Sequence, residues 1–360
     1  MKVLYLTPWY PSERDAMAGL FVRKHAESVR AQGVDVQVLS AFTWREFGHS
    51  IRLFSALKRS WGLPDVVQLN VIQKQGLLAL WLKWRYGIPY VVVEHWSGYL
   101  PENGQFMRLP ALKRRLFAMI ARKANVLMGV SKRLLESLKA CGVINADCRE
   151  INNVVDDFFY EPSAVSCQHS AFSIQHSDRK TLLHVSCFDE RAKNVKGLLR
   201  AAKALSGKRQ DWRLVLIGDG ADYKEVRAYA QALDLPEGLL EWTGEIPAQV
   251  VAERMHCADA LVLSSRFETY GVVLAEAAVA GLPILSTPVG IAEEVGALIV
   301  PHEIAQNNPG RMAEFMEAVL WPSSKISHRR PQAEVSRFKA ETIGLELKHI
   351  YEQALNRTNE

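Results

Sequence analysis

Along the chain, short apolar runs alternate with longer segments whose apolar residues recur at helical spacing. Lys2–Leu6, Asp35–Ser40, Tyr90–Val93 and Val126–Val130 are strand-like, and Phe21–Gln32 is the first of the helical stretches between them. Around Asn153–Ser177 the alternation lapses into Asp, Ser, His and Gln, the pattern of a linker. It resumes at Lys180–Ser186 and continues through Arg213–Ile217, Leu240–Thr243, Ala260–Ser264, Pro283–Ser286 and Ala297–Val300. From Glu334 to Leu355, apolar positions such as Val335, Phe338, Ile343 and Tyr351 mark one or two closing helices. Strands interleaved with helices predict parallel sheets covered on both faces. The predicted fold class is α/β: two Rossmann-like, doubly wound domains facing one another across a cleft, over residues 1–160 and 178–339.

Composition bounds this picture. With 360 residues the chain is long enough for two full cores. No run of about 20 apolar residues lacks charges or breakers, so no membrane span is expected. The apolar Val3–Leu6 after Met1-Lys2 is too short for a secretory signal, which makes a cytoplasmic location the expectation. Five cysteines (Cys141, Cys148, Cys167, Cys187 and Cys257) lack CxxC pairing and are odd in number. They argue against a disulfide framework or a structural zinc and read as reduced thiols.

The net charge of +5 conceals an asymmetry. Residues 1–155 carry 22 Lys and Arg against 11 Asp and Glu, a net of +11, whereas residues 156–360 carry 22 against 28, a net of −6. Much of the excess lies between Arg108 and Lys139, interleaved with Leu112, Leu116, Phe117, Met119 and Ile120. A solvated helix face accounts for any single one of these charges. A whole domain of that sign with apolar residues among its charges also suits an anionic lipid surface. No recognisable nucleic-acid motif accompanies the charge, and nucleic acid is not expected as a partner.

Candidate chemistry concentrates in Ser264–Glu276. Here Glu268 falls in a loop after a buried strand, and Glu276, eight positions on, falls inside the helix that follows. The free N–H groups of that helix's first turn, Gly271 to Val273, form an anion site with the positive end of the dipole behind them, and a diphosphate suits it. Glu276, one turn in and leaning back toward the N-terminus, is placed to accept hydrogen bonds from a ribose. Glu268 is placed to grip hydroxyls beyond the distal phosphate. Arg191, Lys193 and Lys196 follow another buried strand; alone they read as surface charges opening a helix. Beside the glutamates, Lys193 is the candidate to neutralise a diphosphate leaving group, a role that otherwise falls to a metal ion. No Asp-x-Asp occurs in the chain, so no metal is expected. In the first half, Gly19 opens a helix as a turn residue or a point of close ligand approach, and His95 stands at a strand end, either internally bonded or facing a sugar.

Together these residues resemble the retaining glycosyltransferases of family GT4, which have the two-domain GT-B fold. Glu268 and Glu276 match the family's paired-glutamate motif, Lys193 its phosphate-binding lysine, Gly19 the glycine of its N-terminal loop and His95 its sugar-contacting histidine. Ile151–Asp156 is similar to its motif before the interdomain linker, and Gly290-Ile291-Ala292-Glu293 to its glycine-rich turn. Three positions depart. Ser186-Cys187 stands where the family has Gly-Arg, leaving Arg191 as the candidate second cation; Ala18-Gly19 replaces a glycine pair, and Asn152-Asn153 an asparagine-glycine.

The resemblance implies a metal-independent hexosyltransferase with no cofactor beyond a nucleotide-sugar donor, expected to be UDP-linked. It implies catalytic positions at Lys193, Glu268 and His95, and donor contacts at Gly19, Arg191, Lys193, Glu268, Tyr270, Gly271, Val272 and Glu276. It also implies a C-terminal helix over about residues 340–360 that packs back on the first domain. The expected acceptor is a saccharide or lipid-linked saccharide of envelope polysaccharide or lipopolysaccharide assembly, handled by a monomer in the cytoplasm or on the inner membrane face. A nucleotide-sugar 2-epimerase of the same fold and an inactive saccharide-binding module are the alternatives.

Overall fold

The computed structural model describes residues 1–13, 15, 17–41, 43–161, 179–322 and 335–359. The chain divides into two compact units, Met1–Val154 with Ser336–Glu360, and Val155–Val335.

The first unit holds six strands: β1 Lys2–Thr7, β2 Asp35–Ser40, β3 Val66–Asn70, β4 Tyr90–Glu94, β5 Val126–Gly129 and β6 Cys148–Glu150. They pair in parallel in the order β2-β1-β3-β4-β5-β6, with Val3 opposite Val36 on one side and Val66 on the other. The connecting helices are α1 Leu20–Ala31, α2 Trp44–Ser60, α3 Gln75–Tyr86, α4 Ala111–Lys123 and α5 Lys132–Ala140. Only the step from β1 to β2 runs leftward, so right-handed crossovers put α1 on one face of the sheet and α2 to α5 on the other. Local signals fix the helix starts. Thr43 and Glu46 form a reciprocal capping box on α2, and the Ser131 hydroxyl accepts from Leu134 N–H at 3.2 Å on α5.

Two strands of this sheet are not apparent from the apolar pattern. β3 carries Gln68 and Asn70, which read as polar interruptions yet are fully buried. Gln68 Nε2 donates to Asn70 Oδ1 at 2.9 Å, and Gln68 Oε1 accepts from the Tyr351 hydroxyl. β6, Cys-Arg-Glu, is a short edge strand without an apolar residue.

The second unit repeats the architecture with β7 Lys180–Val185, β8 Trp212–Ile217, β9 Leu240–Gly244, β10 Ala260–Leu263, β11 Ile284–Ser286 and β12 Leu298–Ile299. Their order is β12-β11-β10-β7-β8-β9. The helices here are α6 Glu190–Lys193, α7 Val195–Ser206, α8 Tyr223–Ala232, α9 Ala248–Cys257, α10 Val272–Val279, α11 His302–Asn307 and α12 Pro309–Leu320. Leu198, Leu199 and Ala202 of α7 pack with Met312 and Met316 of α12 and with Trp212 and Leu214 of β8 in one buried core. The chain winds outward from β7 through β9, then returns to start β10 on β7's other side. A crevice therefore opens at the carboxyl ends of β7 and β10, the place where open α/β sheets hold ligands.

Helix α13, Ala340–Asn359, closes the chain on the first unit, where it packs against α1. The stretch expected to be a linker, 153–177, lies outside the described residues from position 162 onward. Cys141, Cys148 and Cys187 are free thiols, but Cys257 is disulfide-bonded, which corrects the expectation of reduced thiols at that position. Among the described residues no helix is long and apolar enough to cross a membrane.

Candidate functional site

Two loops converge where β7 and β10 end side by side, Leu182 and Leu183 paired with Ala260 and Leu261. The loop after β7 enters the single turn of α6, capped by the Asp189 side chain, and leaves it through Asn194 in the left-handed conformation, φ 53°. Lys193 is the last residue of that turn. Its ammonium donates to Glu268 Oε1 from the loop after β10, and both side chains are only 14% exposed. The Ser265 hydroxyl donates to the same oxygen at 2.9 Å. Burial alone pulls the Lys193 pKa down, but the Glu268 carboxylate outweighs it, with help from Cys187 and Asp189, and leaves it raised. The lysine is therefore fully charged at neutral pH.

The turn that presents Lys193 is clamped from beneath. The Arg266 guanidinium donates to Glu190 O and, at 2.8 Å, to Asn194 Oδ1, while its backbone N–H donates to Ala192 O at 2.7 Å. The Ser264 hydroxyl donates to Lys193 O at 3.0 Å. Below lies the fully buried His184, its Nε2 2.8 Å from Ser186 Oγ and its Nδ1 3.0 Å from Val262 O. Burial lowers its pKa to about 4 and the Lys193 charge adds to the effect, so this imidazole is neutral. His184, Ser264, Ser265 and Arg266 did not stand out in the sequence. Their one signal is position, as polar residues at or just beyond the ends of buried strands.

Beyond Glu268 the chain turns through buried Tyr270 and through Gly271, φ 76°, into α10, whose first turn no side chain caps. A second turn braces this entry. Ile291 N–H donates to Tyr270 O at 2.9 Å, and Gly290, φ 51°, lies so close that a Cβ there would stand 2.0 Å from that oxygen. Val272 opens the helix and Glu276, partly buried, follows one turn later. Arg191 is exposed, its guanidinium 5.7 Å from the centre of the Phe267 ring. Arg191, Lys193, Glu268, Tyr270, Gly271, Val272 and Glu276 thus lie on loops and helix starts at one edge of one sheet. Uncapped N–H groups beside a lysine ammonium make an anion site, and the flanking carboxylates accept from hydroxyls.

Gly19 and His95 belong to the first unit. Gly19, φ 65°, caps α1, and a Cβ there would stand 2.3 Å from Trp9 O; the missing side chain admits that carbonyl. After β1 lies a cavity of about 730 Å³ lined by Trp9, Tyr10, Glu13, Asp15 and Glu46 among others. His95 follows β4, buried, with its ring 4.2 Å from Phe21 and 5.9 Å from His25. Its Nε2 is buried without a partner. Burial, reinforced by His25, holds its pKa well below the usual value, so the ring is neutral. The loop carrying it is organised by fully buried Glu94. That carboxylate accepts from Ile72 N–H at 2.7 Å, His95 N–H at 3.2 Å and Tyr99 O–H at 3.1 Å, while burial raises its pKa to about 7.

Comparison with known proteins bears on both units. Residues 3–157 match the family described as Glycosyltransferase Family 4, and residues 168–320 that described as Glycosyl transferases group 1. An N-acetyl-alpha-D-glucosaminyl L-malate synthase of Bacillus anthracis is 28% identical over 174 residues, 48% of this chain and 44% of that protein. A lipopolysaccharide 1,6-galactosyltransferase of Salmonella typhimurium is 34% identical over 100 residues, 27% of each chain. The matched stretches span less than half the length of either relative. Among solved structures, HepE of Anabaena in complex with UDP and glucose superposes with a TM-score of 0.70 at 17% identity, covering 98% of this chain and 100% of that one. At that identity the likeness is one of fold. With a family match on each unit and parallel six-stranded sheets in both, the chain belongs to the GT4-type glycosyltransferases of GT-B fold.

Proposed function

We propose that the chain moves a hexosyl group from a UDP-sugar to a hydroxyl of a saccharide or lipid-linked saccharide, with retention of anomeric configuration and without a metal ion. The observation that carries this reading is the Lys193–Glu268 pair beside the uncapped start of α10. In it the diphosphate lies on the α10 N–H groups, Glu276 holds the ribose, and Lys193 exchanges its carboxylate partner for the departing phosphate. Arg191, freed from the Phe267 ring, supplies the second cation where Cys187 stands. The acceptor oxygen bonds to the anomeric carbon on the face the diphosphate leaves, and a diphosphate oxygen takes the acceptor's proton. Lys193 and the helix end carry the charge that builds on the leaving group. Neutral, buried His95 contacts the sugar. The UDP bound to HepE supports the choice of base, and the galactosyltransferase relative supports a role in lipopolysaccharide or other envelope polysaccharide assembly. The basic residues 1–155 support an acceptor carried on an anionic membrane surface facing the cytoplasm.

A thermal-shift screen of UDP-, GDP- and ADP-sugars, followed by proton NMR of the product with a saccharide acceptor, tests the reading. A UDP-sugar stabilises the chain and the product keeps the donor's anomeric configuration. Inversion, preference for another base, or epimerisation of donor incubated alone refutes it.

A further inference from the structure

The first unit carries a surface that the transferase site does not use. Helices α2, α3 and α4 lie on one face of its sheet, and contacts between them show how they align. Lys58 near the end of α2 donates to Tyr86 Oη of α3 at 2.9 Å, and Phe54 of α2 meets the Trp81 ring edge-on, 6.4 Å between centres. On the other side, Lys83 of α3 donates to the carbonyl of Lys123, the last residue of α4. The three helices therefore form a layer of roughly parallel rods.

The outward ridge of α3 is apolar at helical spacing: Leu77, Trp81 and Trp84 are all exposed, Trp84 at 80%. On α4, Leu112 is 79% exposed, and Arg115, Arg122 and Lys123 share that outer side, opposite buried Phe117, Ile120 and Ala121. The three helices carry 11 Lys and Arg against one acidic residue, Glu46. Exposed tryptophan is costly in water and at home at the boundary between headgroups and acyl chains, and a cationic field around it selects anionic headgroups.

We propose that the outer face of α2 to α4 seats the protein on an anionic lipid bilayer, with Trp84 and Leu112 entering the interface and Arg115, Arg122 and Lys123 pairing with headgroups. This holds whether or not the donor assignment does, because binding is read without sugar transfer. Full-length protein is sedimented with vesicles of equal parts phosphatidylglycerol and phosphatidylcholine, and with pure phosphatidylcholine. It binds the first and not the second, tryptophan emission shifts to the blue, and added salt releases it. The triple change Arg115→Ser, Arg122→Ser and Lys123→Ser weakens partition about 100-fold, at roughly fivefold per cation. Trp84→Ala weakens it about tenfold and removes much of the emission shift. Both variants alter exposed side chains, and unchanged thermal unfolding verifies that they fold. Equal binding to both vesicle types, variants that bind like the parent, or binding without an emission shift overturns the proposal. So does tighter retention on duplex RNA at the same phosphate concentration, which assigns the face to nucleic acid.

Discussion

Lys193 and Glu268 are 75 positions apart in sequence and in hydrogen-bond contact in space. Without a ligand each satisfies the other, so a bound diphosphate competes with a carboxylate for the ammonium. Removing the ammonium leaves the developing negative charge to the helix amides alone. Lys193→Ala is expected to lower kcat by about 100-fold or more, with a smaller effect on KM, measured by steady-state kinetics. Glu94 makes a different prediction. Its pKa rises from 4.5 to about 7 on folding because burial disfavours its charge, so the folded state holds the proton more tightly. Its stabilising contribution is complete below pH 4.5 and is lost as pH rises toward about 7. Denaturant midpoints of the parent and Glu94→Gln, compared from pH 5 to pH 8, are expected to show that fall in the parent and to lack it in the variant. The residues found by motif, Lys193 and the two glutamates, were legible because their spacing relative to predicted strands fixed their edge of the sheet. Arg266 and His184 were not, since a clamp on a turn and a neutral imidazole under a lysine depend on which strands adjoin.

Among the elements, α10 matters most, and its start depends on a neighbour. The Gly290 turn presses backbone to backbone on Tyr270, immediately before the Gly271 cap. Gly290→Ala drives a Cβ into the Tyr270 carbonyl and is expected to cost roughly 2 kcal/mol or more in stability and to weaken UDP binding. Gly281→Ala, also at positive φ but with nothing within 4 Å of its Cβ, is expected to cost about 1 kcal/mol and leave UDP affinity unchanged. Thermal unfolding and UDP titration of the two variants distinguish a brace from a mere turn. Most elements followed from apolar periodicity. β3 escaped it because Gln68 and Asn70 are buried polar residues whose contacts, with each other and with Tyr351, exist only in the folded chain, and β6 because a polar edge strand resembles a loop.

At the scale of the molecule, the C-terminal helix is a structural part of the first unit. Tyr351 of α13 reaches the sheet, its hydroxyl 2.9 Å from that of buried Tyr5 and bonded to Gln68. Gly344 lets α13 meet α1 closely, since a Cβ there would stand 2.4 Å from Ser28 O. Deleting residues 340–360 strips these contacts from one unit only. Hydrogen exchange is expected to show lost protection in β1, β3 and α1, with UDP binding by residues 155–335 retained. Neither contact was legible in the sequence: the resemblance implied a closing helix packed back on the first domain, but not the residues that would meet there.

The assignment of the crevice between β7 and β10 rests most directly on where a nucleotide settles. A crystal structure with UDP is expected to show the diphosphate on the amides of Gly271 to Val273, Lys193 moved from Glu268 onto a phosphate oxygen, and Glu276 on the ribose. Nucleotide density elsewhere in the chain, or a diphosphate at α10 with Lys193 still bound to Glu268, contradicts it.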